Sequence, residues 1–121
     1  MPTLRQAGQV ILAVEDLFIV HYLDQLLTPH GYAVIGAGAR QAAALLGSRE
    51  SGVSLLLSNT PEEFLEFAER IPIVYLSSAP DPSVAARFRA CRTVRKPFRA
   101  QTLLDAIEEL TGAACGTGAS A

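Results

Sequence analysis

The chain has 121 residues, half of them apolar, and twelve acids against ten bases give a net charge of −2. This length favours one domain, which buries about two-thirds of its unfolded surface and needs no metal or disulfide to fold. The apolar fraction is too high for a disordered chain. The nearly balanced charge gives no indication of a nucleic-acid partner. The two cysteines lack the spacing of metal ligands, so neither a zinc site nor a disulfide framework is expected. Without a membrane-length apolar run or an export signal, we expect a cytoplasmic protein with no membrane partner.

Short buried-strand patterns alternate with helical patterns along the chain. The first strand ends in two acids, and Asp16 is a candidate N-cap for the helix that follows. Thr60 and Glu63 predict a capping box at the start of the third helix. In chain order the predicted strands are Val10–Val14, Ala33–Ile35, Val53–Leu57, Ile73–Leu76 and Thr93-Val94, and the predicted helices cover Leu17–Thr28, Arg40–Leu46, the stretch after Thr60, Ser83–Ala90 and Gln101–Leu110.

Five strand–helix units in a row predict an α/β fold, with a doubly wound five-stranded parallel sheet and helices on both faces. We expect this domain to cover residues 10–111. It follows an N-terminal extension of residues 1–9 and precedes a small polar tail, residues 112–121, that we expect to be disordered. Binding sites in such folds form beyond the carboxyl ends of the strands.

Polar residues stand at several of these strand ends. Glu15 and Asp16 are adjacent carboxylates that suit Mg²⁺, unless Asp16 only caps the next helix and Glu15 is solvated. The Ser77 hydroxyl suits either a phosphoryl oxygen or a local turn. Lys96 is the only lysine, and Pro97 holds it extended, so that its ammonium can reach a phosphate or a carboxylate; an ordinary surface lysine is the alternative.

Taken together, the strand ends resemble the receiver domain of bacterial response regulators. The resemblance extends element by element from Val10 to Leu110, and implies a flavodoxin-like fold and a non-enzymatic signalling role in a two-component phosphorelay. In that family an acid pair holds Mg²⁺, while a hydroxyl and a lysine, here Ser77 and Lys96, contact a phosphoryl group on an aspartate that ends the third strand. The motifs that carry the resemblance are Val14-Glu15-Asp16, Ile71–Ser78 and Arg95-Lys96-Pro97-Phe98.

The sequence departs from this pattern at the phosphoacceptor. By strand register that position falls on Ser58, with Asn59 as the next candidate, and neither is acidic. An acyl phosphate needs a carboxylate nucleophile, and losing one carboxylate ligand weakens Mg²⁺ binding by about ten-fold or more. Thr93 stands where the family commonly has an aromatic switch residue. We therefore interpret the chain as a degenerate receiver that is not phosphorylated in the usual way, with at most a weak Mg²⁺ site at Glu15 and Asp16 and no other cofactor.

Without a phosphoacceptor carboxylate, Lys96 needs another partner. Its ammonium can pair with Glu15 or Asp16 instead, which would leave the pocket filled by its own charges.

The charges are unevenly distributed along the chain. No acid lies between Pro82 and Leu104, whereas four glutamates lie on the third predicted helix. Two solvated faces are the ordinary interpretation. The resemblance favours a second one, a basic face that docks on a histidine kinase or another signalling protein, or forms a homodimer. The residues of this basic face are Arg87, Arg89, Arg92, Arg95 and Arg99.

Two other functions stay open on the sequence. One is a working receiver with an atypical acceptor at Ser58 or Asn59. The other is a small nucleotide- or flavin-binding α/β protein, for which Gly36-Ala37-Gly38 gives only a weak signal because residue 41 is not glycine. The sequence also fits a piece of a longer regulator.

Overall fold

Five strands form one parallel sheet in the computed structural model, which describes residues 9–48 and 52–111. The strand order is β2-β1-β3-β4-β5. The predicted doubly wound, flavodoxin-like parallel sheet is therefore confirmed. The predicted extension, apart from Gln9, and the predicted tail lie outside the described residues. The strands are β1 (Val10–Val14), β2 (Ala33–Gly36), β3 (Val53–Ser58), β4 (Ile73–Ser77) and β5 (Cys91–Arg95).

Helices cover both faces of the sheet and bury an apolar cluster on each. The cluster on one face joins the sheet to α1 and α4, with Leu23, Leu27 and Leu103 fully buried. The cluster on the other face joins it to α2 and a 3-10 segment. None of the helices in the described ranges has the length and apolar character that a membrane crossing requires. The helices are α1 (Leu17–Leu27), α2 (Ala39–Gly47), α3 (Pro82–Ala85) and α4 (Ala100–Thr111), with 3-10 segments at Thr28–His30 and Pro61–Phe67.

The third predicted helix is a 3-10 segment, and the predicted capping box at its start is wrong. Pro61, Phe64 and Phe67 are all buried. Their spacing of three residues matches the three residues per turn of a 3-10 helix, so that all three lie on one side of it. Phe64 also has non-helical dihedral angles, at φ −125° and ψ 23°. No side-chain bond from Thr60 caps the segment.

The fourth helix is shorter than predicted, because α3 ends at Ala85 instead of continuing to Ala90. Phe88 is buried in the core, and the amide of Arg89 donates to the carbonyl of Ala68 at 3.0 Å. Both contacts draw the chain away from a helical path and towards β5. Asp81 caps the start of α3, since its Oδ1 accepts from the Ser83 amide at 2.9 Å.

Candidate functional site

The sheet order brings four strand ends together. In register, Val14 lies beside Ser58, Ser58 beside Tyr75, and Ser77 beside Arg95. Polar residues that are far apart in the sequence therefore follow one another along the carboxyl edge of β1, β3, β4 and β5. The sequence predicts this juxtaposition, but not which of the side chains contact each other.

A buried ion pair joins the two ends of this edge. The Glu15 side chain, directly after β1, is 0% exposed, whereas that of Lys96 is 27% exposed. Lys96 Nζ donates to Glu15 Oε1 at 3.3 Å and lies 3.2 Å from Oε2, which has no hydrogen bond. A buried carboxylate is costly unless it is paired. Lys96 is thus the counter-ion of Glu15, as the sequence predicted for one of the two acids.

Asp16 caps the following helix and takes no part in the Glu15–Lys96 pair. Its Oδ1 accepts from the amide of Ile19 at 3.0 Å, and its side chain is exposed. A carboxylate at this position satisfies one of the free amides in the first turn and lies favourably in the helix dipole. Of the two alternatives drawn from the sequence, the contacts match capping for Asp16, whereas Glu15 is buried instead of solvated.

Ser58 takes part in a closed local network at the end of β3. It is 0% exposed, and its Oγ accepts from the Thr60 amide at 2.9 Å and lies 3.3 Å from Thr60 Oγ1. These contacts turn the chain into the 3-10 segment. The neighbouring Asn59 is exposed. The hydroxyl at the predicted phosphoacceptor position therefore forms its contacts with Thr60 of its own loop.

The side chains of two further predicted residues take no part in the Glu15–Lys96 pair. Ser77 Oγ accepts from the Ala79 amide at 3.0 Å, which is the local turn that the sequence left open. Thr93 is exposed on β5. Tyr75, which no motif in the sequence indicates as a site residue, lies between Ser58 and Thr93 in register and is buried. Its Oη accepts from the Asp81 amide at 3.0 Å, and a buried tyrosine hydroxyl generally needs such a partner.

Solved structures of similar fold are receiver domains. A signal receiver domain of an HD domain-containing protein from Pseudomonas fluorescens Pf-5 is 25% identical, with a TM-score of 0.72 over 91% of this chain and 98% of that one. A chemotaxis response regulator of Vibrio cholerae is 20% identical, with a TM-score of 0.69 over 86% and 98%. The fold is that of a response regulator receiver domain. No protein-family model matches the sequence, and a comparison with curated proteins gives no match.

A third structure of the receiver fold carries a metal ion. It is the receiver domain of a sensor histidine kinase from Pseudomonas aeruginosa PAO1, 22% identical with a TM-score of 0.68 over 88% of this chain and 99% of that one. It has a magnesium ion coordinated in its active-site cleft.

The residues of the present chain do not fit such a magnesium site. Mg²⁺ takes carboxylate oxygens in near-octahedral geometry. Here Lys96 pairs with the carboxylate of Glu15, and an oxygen of Asp16 caps α1. Ser58, where the sequence predicts the phosphoacceptor position, carries a hydroxyl instead of a carboxylate. Within the described ranges, no group of three or more histidine, cysteine, aspartate or glutamate side chains is arranged to hold a metal ion.

Two surfaces of this receiver fold border the strand ends. At the start of α1, Leu17 and Phe18 are 84% and 89% exposed, and the partly exposed Tyr22 lies 6.0 Å from the Phe98 ring. Exposed apolar side chains in a group are typical of protein-binding surfaces, and the sequence analysis did not single them out. The five arginines of the basic face are all exposed. Their side chains do not share one side of the sheet, because alternation along β5 places Arg92, which is paired with Glu109, and Arg95 on opposite sides.

Proposed function

We propose that the chain is a receiver-like signalling module of a two-component phosphorelay that is not phosphorylated at the usual strand end and acts through protein–protein contact. The observation that carries this proposal is the state of Ser58. A buried hydroxyl, held by the Thr60 amide, stands where the resemblance places a carboxylate. We also propose that the protein is cytoplasmic and non-enzymatic.

The chemistry of the pocket supports this function. A hydroxyl attacks a phosphoryl group only when a base removes its proton. Ser58 contacts Thr60, which is not a base, and its burial keeps a phosphodonor away from it. The ammonium of Lys96, which the resemblance assigns to the phosphoryl group, is directed at Glu15. Asn59 is exposed, but a carboxamide is a poor nucleophile.

Surface features support contact with proteins as the mode of action. The basic face offers exposed arginines to an acidic surface, and Leu17 and Phe18 offer apolar area beside the pocket. We propose a histidine kinase or another signalling protein as the partner. Competition with a working receiver for such a partner needs a binding surface but no phosphoryl transfer.

A phosphorylation assay tests the proposal. The protein is incubated with acetyl phosphate and Mg²⁺ and its intact mass is measured, beside a working receiver domain as the positive control. We expect no mass gain on this chain. A gain of one phosphoryl group that disappears in Ser58→Ala or Asn59→Ala would contradict the proposal and identify an atypical acceptor.

A further inference from the structure

The open edge of β5 borders a surface groove of about 400 Å³. Small apolar residues around α3, among them Pro82 and Ala85, form one wall, and the side of β5 with Cys91, Thr93 and Arg95 forms the other. Because α3 spans only four residues, it leaves this side of β5 accessible: Thr93 and Arg95 are exposed and Cys91 is partly exposed.

Three residues of β5 have backbone groups that the sheet does not use. At the two ends of the ladder the Ile73 amide donates to the Ala90 carbonyl, and the Lys96 amide donates to the Ser77 carbonyl, each at 3.0 Å. In a parallel ladder, alternate residues of an edge strand direct both their N–H and C=O groups to the neighbouring strand. Arg92 and Val94 therefore face β4. It follows that Cys91, Thr93 and Arg95 direct theirs outward, and these are the same three residues that line the groove.

We propose that the edge of β5 accepts an extended, acidic segment of a partner protein as a sixth strand of the sheet. Such strand addition gains affinity from main-chain hydrogen bonds and specificity from alternate side-chain pockets. The backbone of Thr93 would form the central bonds, the groove would receive small apolar side chains, and Arg95 would pair with a carboxylate. This inference rests on the proposed function for its choice of the basic face, and it specifies the partner's chemistry and binding geometry.

Charge decides between an acidic partner and a second copy of this chain. Pairing two β5 edges would bring two basic faces together, and like charges across an interface are unfavourable. Charged side chains on an edge strand generally oppose such pairing between copies. An acidic segment meets the same arginines with the opposite sign.

The test uses a fluorescein-labelled peptide in which glutamate and valine alternate, and a control peptide with lysine in place of glutamate. We expect the acidic peptide to bind at least about ten-fold more tightly by fluorescence anisotropy. In NMR spectra the amides of Cys91, Thr93 and Arg95 should shift most. Methylating alternate backbone nitrogens of the peptide should abolish binding in one register and preserve it in the other, because only one set faces β5.

Three variants of the protein separate backbone pairing from side-chain contact. Thr93→Pro removes an outward N–H without removing a bond to β4, and proline is tolerated on edge strands where the N–H faces solvent. It should weaken binding about ten-fold, whereas Thr93→Val should change it by less than about two-fold. Arg95→Glu should reverse the preference between the acidic and the lysine peptide. This variant tests the proposal even if Thr93→Pro does not fold.

Several results would overturn the inference. They are equal binding of the acidic and the lysine peptide, unchanged binding by a folded Thr93→Pro variant, or dimers in the peptide-free protein that Arg95→Glu disrupts. Folding of each variant is checked by circular dichroism and thermal unfolding. None of these results bears on the acetyl phosphate assay. If the peptide-binding tests contradict strand addition at β5, the proposal that the chain is not phosphorylated is still tested separately by that assay.

Discussion

Replacing Lys96 by methionine tests the ion pair in the pocket directly. Methionine keeps the length and the apolar stem of lysine but removes the charge, and so leaves Glu15 buried at 0% exposure without a counter-ion. Removing one partner of a buried pair costs about 3 to 5 kcal/mol. Since Lys96 is itself 27% exposed, water can replace part of its interaction, and we expect about 3 kcal/mol. For a domain of this size that corresponds to a fall in Tm of about 12 °C.

The assay is urea unfolding followed by circular dichroism, with two further variants for comparison. Glu15→Gln should cost less, about 1 to 2 kcal/mol, because a buried neutral amide needs no counter-ion. The double variant should be about 2 kcal/mol more stable than the sum of the single effects predicts, because the two side chains interact directly.

An exposed ion pair in the same chain provides the matched control. Arg92 and Glu109 are 47% and 57% exposed, so Arg92→Met should lower the free energy of unfolding by less than about 1 kcal/mol. If Lys96→Met cost no more than Arg92→Met, the pocket carboxylate would not depend on Lys96, and our reasoning about the site would be refuted.

Three further predictions concern single residues. Ser58→Ala removes the acceptor for the Thr60 amide and should cost about 1 kcal/mol in urea unfolding. Gly36→Ala would place a Cβ 2.6 Å from Val20 Cγ1, and the crowding should cost about 1 to 3 kcal/mol, measured in the same way. Burial raises the pKa of the Cys91 thiol. Because the thiolate is the reactive form, iodoacetamide labelling in a variant whose other cysteine is serine should be slow at neutral pH and accelerate only at a higher pH than for a free cysteine.

Each of these predictions has its own control. Gly47→Ala adds a Cβ with no atom within 4 Å and should leave stability unchanged or raise it slightly. Unfolding in urea should restore ordinary reactivity to Cys91. An effect of Ser58→Ala larger than that of Lys96→Met would show that the hydroxyl, and not the ion pair, contributes more to stability at the strand ends.

The sequence predicts the fold well where one periodicity dominates. The strand patterns locate all five strands of the described sheet. The three central strands β1, β3 and β4 are buried apolar runs, as is typical of parallel sheets, whereas the edge strands β2 and β5 are largely exposed. It fails where tertiary contacts compete with local preference. Proline and acidic residues after Thr60 favour an α-helix, yet the chain forms a 3-10 segment in which Phe64, with non-helical dihedral angles, and Phe67 are buried. Likewise the buried Phe88 interrupts a sequence that is otherwise helical.

The site is predictable only in part, for a related reason. Strand ends follow from the strand pattern, so Glu15, Ser58 and Lys96 are expected on one edge of the sheet. Their contacts depend on tertiary packing, because two adjacent acids have different environments here. Asp16 faces the helix and solvent, whereas Glu15 faces the interior. Alternation of side chains at the end of a strand indicates that the two differ, but not which one is buried.

The charges of Glu15 and Lys96 balance each other without a phosphoryl group or a metal ion. Glu15 and Lys96 neutralise each other, and no other charged group contacts either of them among the described residues. A cation that binds Glu15 must displace Lys96, which removes the stabilisation that the Lys96→Met variant measures. A phosphoryl group that binds Lys96 must likewise leave Glu15 buried and unpaired, at a similar cost. Ser58, which we propose as the equivalent of the phosphoacceptor, is neutral and offers neither ligand a compensating charge. We therefore propose that the neutral side chain at residue 58 and the pairing of Glu15 with Lys96 have the same consequence, which is a site that favours its own ion pair over external ligands.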